Sequence, residues 1–152
     1  MADKLRDGIN AMLNKESNKK AVFGVPLAKD FEGHDDRFRY QMLDRLRSDL
    51  DYYLGHGLYS ENQLWNSDKK PETTVELMKG LYDSFDEKPQ WLGADKIRDY
   101  EKRLAEPVKY NPEYHDYFRD RIKENPYAMS YYRETYPDNK RLNQLLDLIE
   151  KM

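Results

Sequence analysis

Residues 35–57 read DDRFRYQMLDRLRSDLDYYLGHG, and this stretch decides the fold class. Phe38, Met42, Leu43, Leu46, Leu50, Tyr53 and Leu54 form one continuous apolar stripe at helical spacing, where a strand would alternate from residue to residue. Asp35 or Asp36 supplies the carboxylate that a helix start favours. Gly55 or Gly57 suits the left-handed residue that often closes a helix. Past this stop, Ser60 with Gln63 three residues on has the form of a capping box. It predicts a short helical turn whose inner face carries Leu64 and Trp65, folded back on the first helix.

The same periodicity continues downstream. Pro71 opens a helix whose stripe is Val75, Met78, Leu81, Tyr82 and Phe85. Residues 95–105 place Ile97, Tyr100 and Leu104 on one face. Asn111–Pro112 and Asn125–Pro126 each set a capping side chain before a proline in the first helical position. Asp138 opens a last segment carrying Leu142, Leu145, Leu146 and Ile149. Upstream, Leu5, Ile9, Met12 and Leu13 predict a helix over residues 3–14, and the apolar run at 21–27, broken by Gly24 and Pro26, predicts a short extended segment. The expectation is an all-α protein of six to eight short helices. It divides into an N-terminal helix and linker (1–34), a helical domain (35–92) and a tyrosine-rich helical region (93–152) packed on that domain.

Composition narrows the functions. Charged residues make up 36% of the chain, yet 29 acidic and 26 basic residues are interleaved and leave a net charge of only −3. That is neither the basic excess of a duplex binder nor the acidic excess of a nucleic-acid mimic. Cysteine is absent, which excludes disulfides, thiolate metal sites and cysteine nucleophiles. The start, MADKLRDGINAML, has no continuous apolar core, and no window reaches membrane-spanning length, so a cytoplasmic protein of a bacterial host is expected, with no membrane contact.

Between Arg39 and Leu92 the chain resembles the large polyvalent protein-associated domain 11, a family found in proteins of phages, plasmids and integrative conjugative elements. The resemblance rests on Arg39–Tyr40, on the stop at Tyr52-Tyr53-Leu54-Gly55, on Leu64–Trp65, and on Leu81-Tyr82-Asp83-Ser84-Phe85 followed by Glu87-Lys88-Pro89 and Trp91-Leu92. Asp86 stands where the family pattern has proline. The resemblance implies a context in place of a reaction: polyvalent proteins enter a new host with mobile DNA and help to protect or establish it. A defence inhibitor of the anti-CRISPR or antirestriction type fits that context, with a host defence protein or ribonucleoprotein complex as its partner.

Each chemically suggestive group has a structural reading beside the functional one. His56, between two glycines, has the character of a general acid or base, but it also sits where a helix C-terminus favours a cation. His34-Asp35-Asp36 are three consecutive metal-capable side chains that diverge at a helix start, so capping is the simpler reading. His115–Asp116 reads as a surface pair. No phosphate-binding loop, HExxH or nucleophile elbow is present, so no catalytic residue, metal or cofactor is assigned. Arg37, Arg39, Arg45 and Arg47, with Lys15, Lys19 and Lys20, form the alternative, a nucleic-acid-binding surface, although Asp36, Asp44, Asp49 and Asp51 are placed to neutralise the arginines. Eight of the 13 tyrosines fall between Tyr100 and Tyr136. Because tyrosine offers a large apolar ring with a hydrated hydroxyl, the segment 110–136 with its acidic neighbours is the expected protein-binding surface. Its candidate contacts are Tyr114, Tyr117, Tyr131 and Tyr132, with the acidic neighbours Glu113, Asp116 and Asp120.

Overall fold

The computed structural model describes residues 22–152. Among these residues the regular structure is entirely helical. A 3-10 turn at Lys29–Phe31 precedes α1 (Asp36–Leu54), α2 (Pro71–Ser84), α3 (Ala94–Ala105), α4 (Pro112–Glu124), α5 (Ala128–Thr135) and α6 (Lys140–Glu150). The helix expected over residues 3–14 lies outside the described residues.

The stripe of α1 behaves as its spacing requires. The Asp35 side chain accepts the N–H of Phe38, and Leu43, Leu46, Leu50, Tyr53 and Leu54 are buried. This face packs on α2, and α2 packs on α3. Residues 22–28 cross α2 at Gly80, where a Cβ would stand only 2.5 Å from the Pro26 carbonyl oxygen. No strand forms there among the described residues. Gly24 turns the chain at φ +70°, and the N–H groups of Phe23 and Gly24 donate to the buried Asp83 carboxylate at 3.1 and 2.8 Å. A carboxylate at the end of α2 thus takes the donors that a neighbouring strand would otherwise have taken.

The closure of α1 also differs from its sequence reading. The left-handed residues are Leu58 and Tyr59, at φ 50° and 63°, and not Gly55 or Gly57. Gly57 is there for space, since a Cβ would lie 2.5 Å from the Tyr52 ring and 2.6 Å from its carbonyl oxygen. Tyr59 holds its conformation through burial, edge-on to Tyr53 at 5.6 Å and with its N–H donated to the Tyr53 carbonyl. The helical turn expected after Ser60 does not form. The Gln63 amide donates to the Ser60 carbonyl at 2.7 Å, and the segment runs as turns. Its inward residues still find their places: Leu64 is buried, and Trp65 stacks on Phe31 at 5.4 Å. The Trp65 N–H donates at 2.8 Å to Asp49, whose other oxygen accepts from Arg45.

Helix α6 begins one residue later than predicted, with the Asn139 side chain and not Asp138 accepting the N–H of Leu142. Its Leu142, Leu145, Leu146 and Ile149 join Phe118 and Ile122 of α4 in the same core cluster as Leu46, Leu81 and Tyr100. The two helical regions read from the sequence therefore share one hydrophobic core. Arg141 supplies the polar link. Its guanidinium donates to the Tyr53 hydroxyl at 3.0 Å, and at 2.6 Å to both the Glu72 carboxylate and the Leu104 carbonyl. One side chain of α6 thereby reaches α1, α2 and α3. Burial pushes the Tyr53 phenol up to about 12 despite this neighbour, so the group stays a neutral acceptor for Arg141.

Arg141→Met keeps the stem and removes the donors, leaving the Tyr53 hydroxyl and the Leu104 carbonyl unmatched. It is expected to lower stability by about 2–4 kcal/mol. Urea unfolding followed by circular dichroism checks this, with the exposed Lys109→Met as a control expected to stay within about 0.5 kcal/mol.

Candidate functional site

Helix α5 is unusual in this fold because none of its eight side chains is buried. Asn125–Pro126 sets its start, though not as the cap expected. The Asn125 side chain accepts the N–H of Tyr127, and its carbonyl accepts that of Ala128. The helix therefore begins two residues beyond the proline, and Tyr127 is left on the outside. Tyr127 is 80% exposed, Tyr131 58% and Tyr117 of α4 75%. Tyr132 is the one aromatic ring of α5 that turns in, lying edge-on to Phe118 at 5.1 Å.

Between α4 and α5 these rings border a groove of about 590 Å³, lined by Phe118, Ile122, Tyr127, Tyr131 and Tyr132, with Arg121 and Glu124 also on its walls. Phe118 and Tyr132 also line a second hollow of about 330 Å³, so the two adjoin at these side chains. The second hollow is closed by the loop at 57–62 on one side and by residues 135–139 and Leu142 on the other. The positive-φ residue Leu58 is part of that wall.

The residues expected at a protein interface are only partly gathered here. Tyr131 and Tyr132 line the groove, while Tyr117 is on the adjoining solvent face of α4 under the Arg121 guanidinium, 5.8 Å from its ring centre. Tyr114 points elsewhere, half-buried against Gly55 and edge-on to His56 at 4.8 Å. Glu113 is exposed in the first turn of α4. Asp116 accepts the Tyr110 hydroxyl at 2.6 Å, and Arg119 bridges Asp116 and Asp120. Tyr127 and Glu124 fall within the expected segment 110–136 but were not among its candidate contacts, and they line the groove. The loop at 57–62 was not anticipated, because it meets this region only through tertiary packing.

The alternative arginine surface is largely engaged within the molecule. Arg39 donates to the Ser84 side chain at 2.7 Å and to Asp36, and lies over the Phe85 ring. Arg45 reaches Asp49 and the Gln63 carbonyl. Arg47 pairs with Asp44 and covers Trp91. Arg37 is exposed, and Lys15, Lys19 and Lys20 lie outside the described residues. His56 is exposed, with the Tyr114 ring as its neighbour. At the predicted HDD motif, Asp35 caps α1, Asp36 pairs with Arg39 and His34 stacks on Phe38. Among the described residues no group of three His, Asp or Glu side chains converges as a metal site.

His115 overturns the expectation of a surface pair with Asp116, being only 2% exposed. Residues 115, 118 and 122 share one face of α4 at the spacing of a buried stripe. The Asn111 N–H donates to His115 Nδ1 at 2.9 Å, which assigns the ring proton to Nε2, and that atom is buried without a partner. Burial holds the imidazole below its ordinary pKa. The rings of Tyr59 and Tyr110 flank it at 6.2 and 5.5 Å.

The boundary of this architecture coincides with a family boundary. Residues 36–104 match the large polyvalent protein-associated domain 11. The match runs from the first residue of α1 to the last turn of α3 and extends the resemblance read between Arg39 and Leu92 at both ends. It associates the chain with the polyvalent proteins of mobile elements. No curated protein and no solved structure matches the chain. The helices α4–α6 lie outside the matched segment, so the second hollow is lined both by a loop of that segment and by residues beyond it.

His115 also makes stability depend on pH with a defined sign. The folded state disfavours the imidazolium, so the unfolded chain binds the extra proton more readily. The stabilising contribution is present above the unfolded pKa of about 6.5 and is lost as pH falls below it towards the folded value. Wild type and His115→Leu, unfolded in urea between pH 8 and pH 5, should show a stability difference that shifts against the wild type only below about pH 6.5. A difference independent of pH would mean that the buried imidazole does not couple to folding.

Proposed function

We propose that this chain is a non-enzymatic binding protein of a mobile element, and that it protects incoming DNA by occupying a component of a host defence system. The observation that carries this reading is α5, a folded helix that buries no side chain of its own, with Tyr131 on it, Tyr127 just before it and Tyr117 on α4 all exposed. Large rings held on a rigid scaffold lose little conformational entropy on binding and supply much of the energy of protein interfaces. The match to a polyvalent protein-associated domain supplies the biological setting. Glu113 and the Arg119-bridged pair Asp116 and Asp120 flank Tyr117, and would steer a basic surface of the partner towards the rings. Such a surface occurs where a defence nuclease or ribonucleoprotein binds nucleic acid, and covering it would block that binding.

A nucleic-acid-binding accessory role is the competing reading. Its support is reduced to Arg37 and the charges outside the paired set, since Arg39, Arg45 and Arg47 each have an acidic partner.

Transfer of a plasmid into bacteria that carry a restriction or CRISPR system, with and without the chain expressed, tests the proposal. Recovery of the plasmid should rise in a defence-carrying host and stay unchanged in a defence-free one. Tyr117→Ala combined with Tyr131→Ala, both exposed positions, should remove most of the gain while the helical signal is retained. No gain in any defence-carrying host, or a gain untouched by the folded double variant, would count against it.

A further inference from the structure

Towards its C-terminal end, α4 carries charges that the protein answers itself and two that it leaves open. Arg119 pairs with Asp116 and Asp120, and Lys123 donates to the Met152 carbonyl at 2.5 Å. Arg121 and Glu124 are both exposed. Among the described residues their side chains form no ion pair, either with each other or with a neighbour. The Arg121 guanidinium lies over the Tyr117 ring. These two are also the only charged residues that line the groove between α4 and α5.

An acid and a base one turn apart are self-complementary under two-fold symmetry. Arg121 and Glu124 stand about 4.5 Å apart along the axis of α4, at roughly 1.5 Å per residue. A two-fold axis set across the helix midway between them reverses its direction and brings Arg121 of one copy opposite Glu124 of the other. The same rotation forms the reciprocal pair. A partner surface of a single sign would instead leave either the guanidinium or the carboxylate desolvated without a counter-charge. The rings beside these charges supply the apolar part of the face. Tyr117, Tyr127 and Tyr131 are 75%, 80% and 58% exposed, and at about 150–250 Å² for each buried ring they offer roughly 300–500 Å² per copy. A standard interface buries about 800 Å² per partner, so the rings provide about half of one. The association expected from such a face is reversible.

We infer that the exposed face of α4 and α5 is an interface between two copies of this chain, related by a two-fold axis that pairs Arg121 of each copy with Glu124 of the other. The inference goes beyond the defence-binding reading and concerns the same face. A second copy covers Tyr117, Tyr127 and Tyr131 in the free protein, and it must leave before a different partner takes them.

Sedimentation equilibrium of the full chain tests this. Wild type should pass from monomer to dimer as concentration rises and go no further, because a two-fold contact closes on itself. Arg121→Glu sets acids against acids at the axis and Glu124→Arg sets bases against bases, so each variant alone should associate at least about tenfold more weakly. An equimolar mixture of the two variants should recover the dimer, since every acid then meets a base. Tyr127→Ala should weaken association at least about fivefold with both ion pairs left in place. All three positions are exposed, and retained helicity by circular dichroism shows that the variants fold. Should either charge reversal lose it, Glu124→Gln and Tyr127→Ala carry the test, and association unchanged in both overturns the inference. A wild type that stays monomeric up to about 1 mM, growth beyond a dimer, charge reversals that associate as wild type does, or a mixture of folded variants no stronger than its components would also overturn it. The plasmid-transfer result separates the two readings. Protection by a chain that stays monomeric removes the dimer alone, whereas dimerisation without protection leaves the dimer standing and removes the defence role.

Discussion

The guanidinium of Arg141 is the polar tie that sets α6 against the first three helices. Withdrawing an arginine even partly from water is costly unless its donors are met, and here a carboxylate, a phenol and a backbone carbonyl meet them. Those three acceptors come from three different helices, so the position of α6 is fixed in rotation as well as in distance. The apolar stripe of α6 alone, Leu142, Leu145, Leu146 and Ile149, would tolerate a slide along the core. The arginine does not. Asn139 adds a second tie, donating to the Tyr59 carbonyl at 2.7 Å, and this contact seats α6 beside the loop that closes α1.

The helical periodicities were legible because each reports only local geometry. All four stripe residues of α6 and the whole stripe of α2 are buried as their spacing implies. The misses share a different cause. Ser60 and Gln63 have capping chemistry, but Tyr59 is pulled into the core beside Tyr53, which leaves the following residues in turns. Residues 22–28 have strand-like composition, but no edge exists to receive them, and the Asp83 carboxylate does the receiving. His115 was misread because its partner is the backbone N–H of Asn111 and its burial depends on the packing of α4, neither of which composition reveals. In the candidate site, Tyr131 and Tyr132 were visible from residue type. The part played by the loop at 57–62 was not, since only the fold sets it against residues 135–139.

The molecule divides its tasks along the chain. The segment matched to the polyvalent-associated domain provides most of the close-packed interior, including Leu43, Leu46, Leu50, Met78, Leu81 and Ile97. The part of the chain that follows contributes most of the exposed tyrosines and the lining of the groove. This arrangement accounts for a chain whose identifiable part is chiefly scaffold, while its most distinctive surface lies elsewhere. The loop at 57–62 is the place where scaffold and surface meet.

The long reach of Arg141 has a consequence for how the protein is made. Its hydrogen bond to Tyr53 joins residues 88 apart in sequence. On the ribosome, α1, α2 and α3 emerge and can collapse while the cover supplied by α6 is still untranslated. Until then the nascent intermediate shows a bare face where Tyr53, the Leu104 carbonyl and the apolar partners of α6 will later be enclosed. A chaperone that recognises exposed apolar helix surface has its window there, and it closes when the α6 arginine arrives.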